Sequence, residues 1–232
     1  MDLIWDGIRE AFQLLIHGDR DLLEVAGLTL LISGAATAVS LLIGVTLGTL
    51  LALSRFFGRS IVISLVNSGM GLPPVVVGLF VALFLWRSGP LGSLGLIYTP
   101  YAIGIAQVLI SLPITMGLTL AAVQGLNPRL RTQILALGAS TPQMIWLLVK
   151  EARLGLLAAA MAGFGAVISE VGAAIMVGGN IEGETRVLTT ATVLEVQRGN
   201  FDTAIAFSVI LLALAFAVNL ALTLIQQRRR PL

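Results

Sequence analysis

One carboxylate, Glu170, interrupts an otherwise apolar run from about Leu154 to Val177. An unpaired charge in hydrocarbon costs about 3 kcal/mol on insertion scales, so such a residue faces the protein interior or a water-filled path. Two roles follow: bonding a neighbouring helix to fix packing, or lining a pathway. Like charge makes a carboxylate a poor ligand for an anion, which favours the packing role. Directly downstream lies "GGNIEGETRVLTTATV", residues 178–193. Gly178, Gly179 and Asn180 can expose backbone N–H groups, Thr189 and Thr190 supply hydroxyls with Thr185 and Thr192, and Arg186 supplies charge. Backbone and hydroxyl donors together can hold an anion without binding it tightly. A plain loop with threonines as helix caps is the competing reading, and Glu182, Glu184 and Glu195 oppose a simple positive funnel.

Other chemistry is excluded. The chain has no cysteine and one histidine, His17, so disulfides and multi-histidine or Cys-ligated metal sites are ruled out and no metal is expected. Hydrolysis within a bilayer needs paired acids, a metal cluster or a serine with a base. A lone acid offers none of these, so no catalytic residue is assigned. No G-x-x-x-x-G-K-[ST] phosphate loop occurs, so nucleotide hydrolysis is not expected of this chain. Nothing points to nucleic acid.

The elements that position these residues are membrane spans. Mean hydropathy is +0.98 and only 11% of residues are charged, against about a quarter in soluble domains. Gaps between charges predict five spans, at about 25–53, 61–85, 101–123, 154–177 and 203–225, each near the roughly 20 residues a crossing needs. The expected fold is an all-α polytopic membrane protein. Residues 1–24 carry eight charges and do not read as a cleavable signal. Trp5, Ile8, Phe12 and Leu15 fall on one helical face, suited to the membrane interface or to packing outside the bundle.

Five spans put the termini on opposite sides. Arg55, Arg59, Arg129, Arg131, Lys150, Arg153 and Arg228–Arg230 fall at one set of ends; Arg9, Arg20, Arg87, Arg186 and Arg198 fall at the other. Nine basic residues against five place the first set, with the tail 227–232, in the cytoplasm and the N-terminus outside. Residues 127–153 then form a cytoplasmic loop between spans in the transmembrane domain 25–226. Asn127 caps a helix opened by Pro128, Gly138 ends it, and Ser140 and Pro142 open a second. Leu130, Ile134 and Leu137 line the first apolar face; Ile145, Leu148 and Ala152 line the second. Helices this short are marginal alone in water, so they pack either on their own bundle or on a cytoplasmic partner.

"ALGAS" (Ala136–Ser140) followed by "EARLGLLAA" (Glu151–Ala159) resembles the cytoplasmic loop of permease subunits of type I ABC importers. The usual Glu-Ala-Ala opening is absent; Thr132 and Gln133 stand there. "LPPVVVGL" (72–79), "SEVGAAIMVGGNI" (169–181) and "TRVLTTATVLEVQRGNFDTAIA" (185–206) resemble the oxyanion branch, tungstate permeases most closely and molybdate permeases next. The resemblance implies the type I importer permease fold in a bacterial or archaeal cytoplasmic membrane. It implies a separate ATP-binding subunit that holds ATP, with no cofactor on this chain, and a groove on that subunit receiving Arg131, Gln133, Leu135, Ala136, Gly138, Ala139 and Ser140. It also implies an extracytoplasmic oxyanion-binding protein. Five spans are few for a complete pathway, so a two-fold homodimer is expected. The alternative is an ion-coupled secondary transporter that uses Glu170.

Overall fold

The computed structural model describes residues 2–17 and 20–228; the tail residues 229–232 lie outside them. The described residues form eleven α-helices and one 3-10 turn. Three helices are long and apolar enough to cross a membrane, or up to five spans form if each of two bent pairs counts as one.

The first, α1 (Asp2–His17), packs on the last, α11 (Phe201–Arg228), through Gly7 and Ala11. A Cβ at Gly7 would sit 2.5 Å from Ile205 Cβ, so only glycine allows this approach. Thr203 Oγ1 donates to Glu10 Oε1 at 3.0 Å. Trp5, Phe12 and Ile16 face outward. The helix therefore packs on the bundle and also presents an apolar outer face; the side chain of Leu15 lies outside the description.

The axis of the bundle is α2 (Arg20–Leu53) against α5 (Pro100–Gln124). Small and hydroxyl residues let the backbones close up. A Cβ at Gly44 would fall on Thr115 Oγ1, and one at Gly48 would sit 2.6 Å from Met116 O. Thr115 Oγ1 donates to Ser40 O at 2.9 Å, and Ser40 Oγ donates to Val108 O at 3.2 Å. The helix α2 begins at Arg20, earlier than the expected Val25, because Arg20–Glu24 continue the helix beyond the apolar stretch.

The segment expected as one span at 61–85 is two helices, α3 (Arg59–Gly69) and α4 (Pro74–Leu85), bent by 101°. Pro74 has no N–H to donate, and Pro73 is pushed from helical to extended geometry by the proline after it (ψ 122). At 1.5 Å per residue neither helix alone spans about 30 Å of hydrocarbon. Pro113, by contrast, lies inside a continuous α5.

After α5 come α6 (Pro128–Ala136) and α7 (Thr141–Glu151), then α8 (Arg153–Ile168) at 66° to α7. The run expected as a span at 154–177 also breaks: α8 ends at Ile168 and a short α9 (Gly172–Gly178) follows. Next comes α10 (Leu188–Arg198), and Gly199 at φ 82 turns the chain into α11. The main core wraps α9: Ala173, Ala174 and Val177 pack with Val81, Leu85, Ile103, Ala106 and Ile110. A Cβ at Gly78 would lie 2.5 Å from Ala173 Cα, so α4 and α9 touch backbone to backbone.

Candidate coupling loop and re-entrant segment

The sequence-predicted residues fall into two separate regions. The first is the α6–α7 loop. Asn127 Oδ1 accepts from Arg129 N at 3.0 Å, and Ser140 N donates to Gln143 Oε1 at 2.8 Å, so both helix starts are capped by side chains from their own first turns. Gly138 holds φ 82, the left-handed geometry a chain reversal needs here. Beneath the turn, Ile134, Met144 and Leu148 are buried together, with Leu53, Leu130 and Ala139 against them. Each such burial contributes about 1.5–3 kcal/mol. Leu137 is not part of that face: it is 88% exposed, because the helix ends at Ala136 and the next residue swings out. Met144 occupies the buried position on α7 beside Leu148 and Ala152. The outer surface carries Arg131, Gln133, Leu135, Ala136, Gly138 and Ser140, all exposed, with Ala139 half-buried. Leu135 and Leu137 are thus apolar side chains presented outward on a basic knob.

The second region is the break between α8 and α9 with the chain that follows it. Glu170 is 8% exposed, and its Oε1 accepts the N–H of Ala173 at 2.8 Å, in the first turn of α9. Its carbonyl accepts from Thr189 Oγ1 at 2.8 Å. The end of α8 is held from α5: Gln107 Nε2 donates to Val167 O at 3.1 Å. The carboxylate thus satisfies a helix start, as an anion near an N-terminus should. The start of α10 is held from α2, where Thr29 Oγ1 accepts from Leu188 N at 2.9 Å.

The hydroxyls in the candidate path are occupied. Thr190 Oγ1 donates to Asn180 Oδ1 at 2.8 Å, Thr185 Oγ1 donates to Gly178 O and accepts from Ile181 N, and Thr192 Oγ1 donates to Leu188 O. Thr189 and Thr190 are buried, Gly178 is buried, Gly179 is exposed and Asn180 is half-buried at φ 52. Tyr98 covers the turn: its N–H donates to Val177 O at 2.8 Å, and a Cβ on Gly179 would meet its ring at 2.8 Å. Arg186 pairs with Glu182 at 3.1 Å and lines a cavity of about 260 Å³ with Asp21, Glu24, Glu184 and Glu195. Glu195 is itself bonded by Arg198 and Asn200. The structure brings Gly178–Asn180, Thr189, Thr190 and Glu170 together, and sets Arg186 in an acidic cavity.

Sequence reading passed over Gln107 and Tyr98. Gln107, Ser111, Thr115 and Thr119 recur every four residues on α5, all at most 3% exposed. That spacing marks one buried polar face and was readable. Nothing local marked Tyr98, whose place depends on α9. Among the described residues no cluster of acids or histidine could hold a metal ion.

The described residues form an all-helical bundle with broken spans, one of them at Pro73–Pro74, and a capped, projecting helix pair, the architecture of a polytopic membrane protein. Residues 44–231 match the family described as "Binding-protein-dependent transport system inner membrane component". The chain belongs to that family and is an ABC importer permease, a multi-pass membrane protein; membership implies an ATP-binding subunit and a substrate-binding protein as partners. It is 41% identical over 203 residues to a probable anion ABC transporter permease of Haloferax volcanii, covering 85% of this chain and 88% of that one. It is 36% identical to a tungstate uptake system permease of Peptoclostridium acidaminophilum, covering 98% and 100%, and 32% identical to the Campylobacter jejuni protein of the same description, covering 94% and 92%. The crystal structure of an amino acid ABC transporter shares the fold at TM-score 0.67 and 18% identity, covering 94% of this chain and 98% of that one.

Proposed function

We propose that this permease imports a tetrahedral oxyanion, tungstate ahead of molybdate, as the translocation subunit of an ATP-driven system. The two relatives described as tungstate permeases, each aligned over more than nine-tenths of this chain, carry the substrate assignment. The chain works as a homodimer with the pathway on the two-fold axis, in a bacterial or archaeal cytoplasmic membrane. Its N-terminus is outside, and its basic ends and tail are inside. ATP sits on the partner subunit, and this chain binds no cofactor.

The exposed knob of α6 and its turn carries the motor contact. Arg131, Gln133, Leu135, Ala136, Gly138, Ala139 and Ser140 enter a groove of the ATP-binding subunit. The helix pair is rigid because both starts are capped and its floor is packed, so it moves as one lever and takes the cytoplasmic end of α8 with it. The anion passes the turn at Gly178, Gly179 and Asn180. Thr189, Thr190 and Glu170 hold that turn in shape, and Arg186 stands at its outer side. The carboxylates around Arg186 repel a free dianion, which fits delivery inside a docked oxyanion-binding protein. Glu170 is engaged at the start of α9, and no observation supports ion coupling through it.

The test is uptake by cells that carry the permease with its cognate ATPase and binding protein, measured as cell-associated tungsten with molybdate and sulfate as competitors. Tungstate uptake that molybdate displaces only in excess is expected. Sulfate displacing tungstate at equal concentration would overturn the substrate assignment. Wild-type uptake in Arg131→Glu would overturn the motor contact.

A further inference from the structure

A groove of about 510 Å³ runs between the last turns of α2 and the outer side of α7. That volume is within the roughly 300–1,000 Å³ range of small-molecule sites. Its walls are apolar: Val45 and Leu50 from α2, Ile145 and Val149 from α7. Two features separate it from an ordinary lipid-facing furrow. Thr49 lines it at 2% exposure, and its buried Oγ1 has no hydrogen-bond partner, whereas the neighbouring Thr46 Oγ1 donates to Leu42 O. A buried hydroxyl left without a partner costs about 1–3 kcal/mol, a cost that a ligand oxygen reaching Thr49 from the groove would remove. At the wall, Trp146 is 61% exposed, and Lys150 holds its ammonium 5.0 Å from the ring centroid. An amphipathic ring beside a cationic head is what the headgroup level of a bilayer selects. The larger groove between α2 and α5, about 750 Å³, has no buried unpartnered hydroxyl among its lining residues, and no tryptophan with a lysine over its ring stands at its wall.

We propose that the α2–α7 groove is a binding site for one anionic phospholipid. An acyl chain lies along Val45, Leu50, Ile145 and Val149, a glycerol ester oxygen accepts from Thr49, and the phosphate sits at Lys150 beside Trp146. Charge complementarity selects this occupant. The groove lies at the end of the bundle that carries Arg55, Arg129, Arg131 and Lys150, all exposed. The site would tie α7, which joins the motor-facing knob to α8, to the lipid around it. It rests on the membrane assignment of the chain and not on its substrate.

The chain's three tryptophans are Trp5, Trp86 and Trp146. In a Trp5→Phe/Trp86→Phe permease, Trp146 alone reports on the groove. This protein is reconstituted into vesicles of equal phosphatidylglycerol and phosphatidylcholine, with bromine on the acyl chains of one lipid or of the other. Brominated phosphatidylglycerol is expected to quench Trp146 with about fivefold higher relative occupancy, the selectivity that one lysine near an anionic surface supplies. Lys150→Gln should bring the two lipids to near parity while quenching persists, whereas Thr49→Val, which removes a contact to an ester oxygen that both lipids carry, should leave the phosphatidylglycerol preference in place with Lys150 intact. Equal quenching by both lipids in the parent protein would overturn the proposal, as would a phosphatidylglycerol preference that survives Lys150→Gln. Absence of quenching by either lipid would also overturn it, and would give the groove to a second copy of the chain.

Discussion

The α6–α7 loop and the α8–α9 break are both interruptions of an apolar bundle, yet they are held in opposite ways. The loop is local. Asn127 serves Arg129 and Gln143 serves Ser140, and the chain reverses at a glycine with φ 82. The break is assembled from distant parts: Gln107 on α5 holds Val167, and Thr189 holds Glu170. A locally held element keeps its shape while it moves as a body, which suits a lever. An element held by several helices deforms when those helices move, which suits a segment that opens and closes.

That contrast can be broken or sharpened by substitution. Gly138→Val should have the largest effect. No atom crowds the position, so the change acts through φ 82 alone, and a β-branched residue there costs more than about 1–2 kcal/mol. Coupled uptake in cells should fall tenfold or more while membrane insertion, read by labelling of a terminal tag, stays normal. Normal uptake would show that the turn is not part of the lever. Glu170→Ala should come next. It leaves the Ala173 N–H without its carboxylate partner, a loss of about 1.5–3 kcal/mol for a charge-assisted bond, seen as a lower thermal midpoint in detergent. Glu170→Gln should restore most of the loss because an amide oxygen can still accept, whereas a proton-coupling role would be abolished by the same change. Asn127→Ala should be smallest, about 1 kcal/mol of cap energy. It should fray the start of α6 in hydrogen exchange and leave exchange at α9 unaltered. Spread of protection loss to α9 would dissolve the distinction between the two regions.

The same contrast explains what was legible. The caps of α6 and α7 were readable because Asn-Pro, Gly and Ser-Thr-Pro act on their own neighbours. The apolar face of α6 was misread at one place, Leu137, since periodicity continues past the point where the helix stops. Pro73–Pro74 stand at one bend as local helix breakers, but the hydropathy that joined 61–85 into one span carries no trace of its 101° angle. The α8–α9 break carries no proline, and its one local cap, Glu170 on the Ala173 N–H, reads in the sequence only as a lone acid in an apolar run. Hydropathy joined it into one span, and only Gln107, Glu170 and Thr189 divide it. The threonines of 185–192 looked like donors for an anion; in the fold their hydroxyls bond backbone and Asn180.

The sequence by itself determined the solvent, the number of apolar segments, the basic bias of one set of ends and the capped double helix between two spans, because these depend on composition and on residues within a turn of one another. Only the tertiary structure decided where the spans break, which polar side chains are already bonded, that Arg186 sits among carboxylates, and that Thr49 and Trp146 share one groove. Those outcomes depend on contacts between residues dozens of positions apart, and such contacts exist only once the helices have packed.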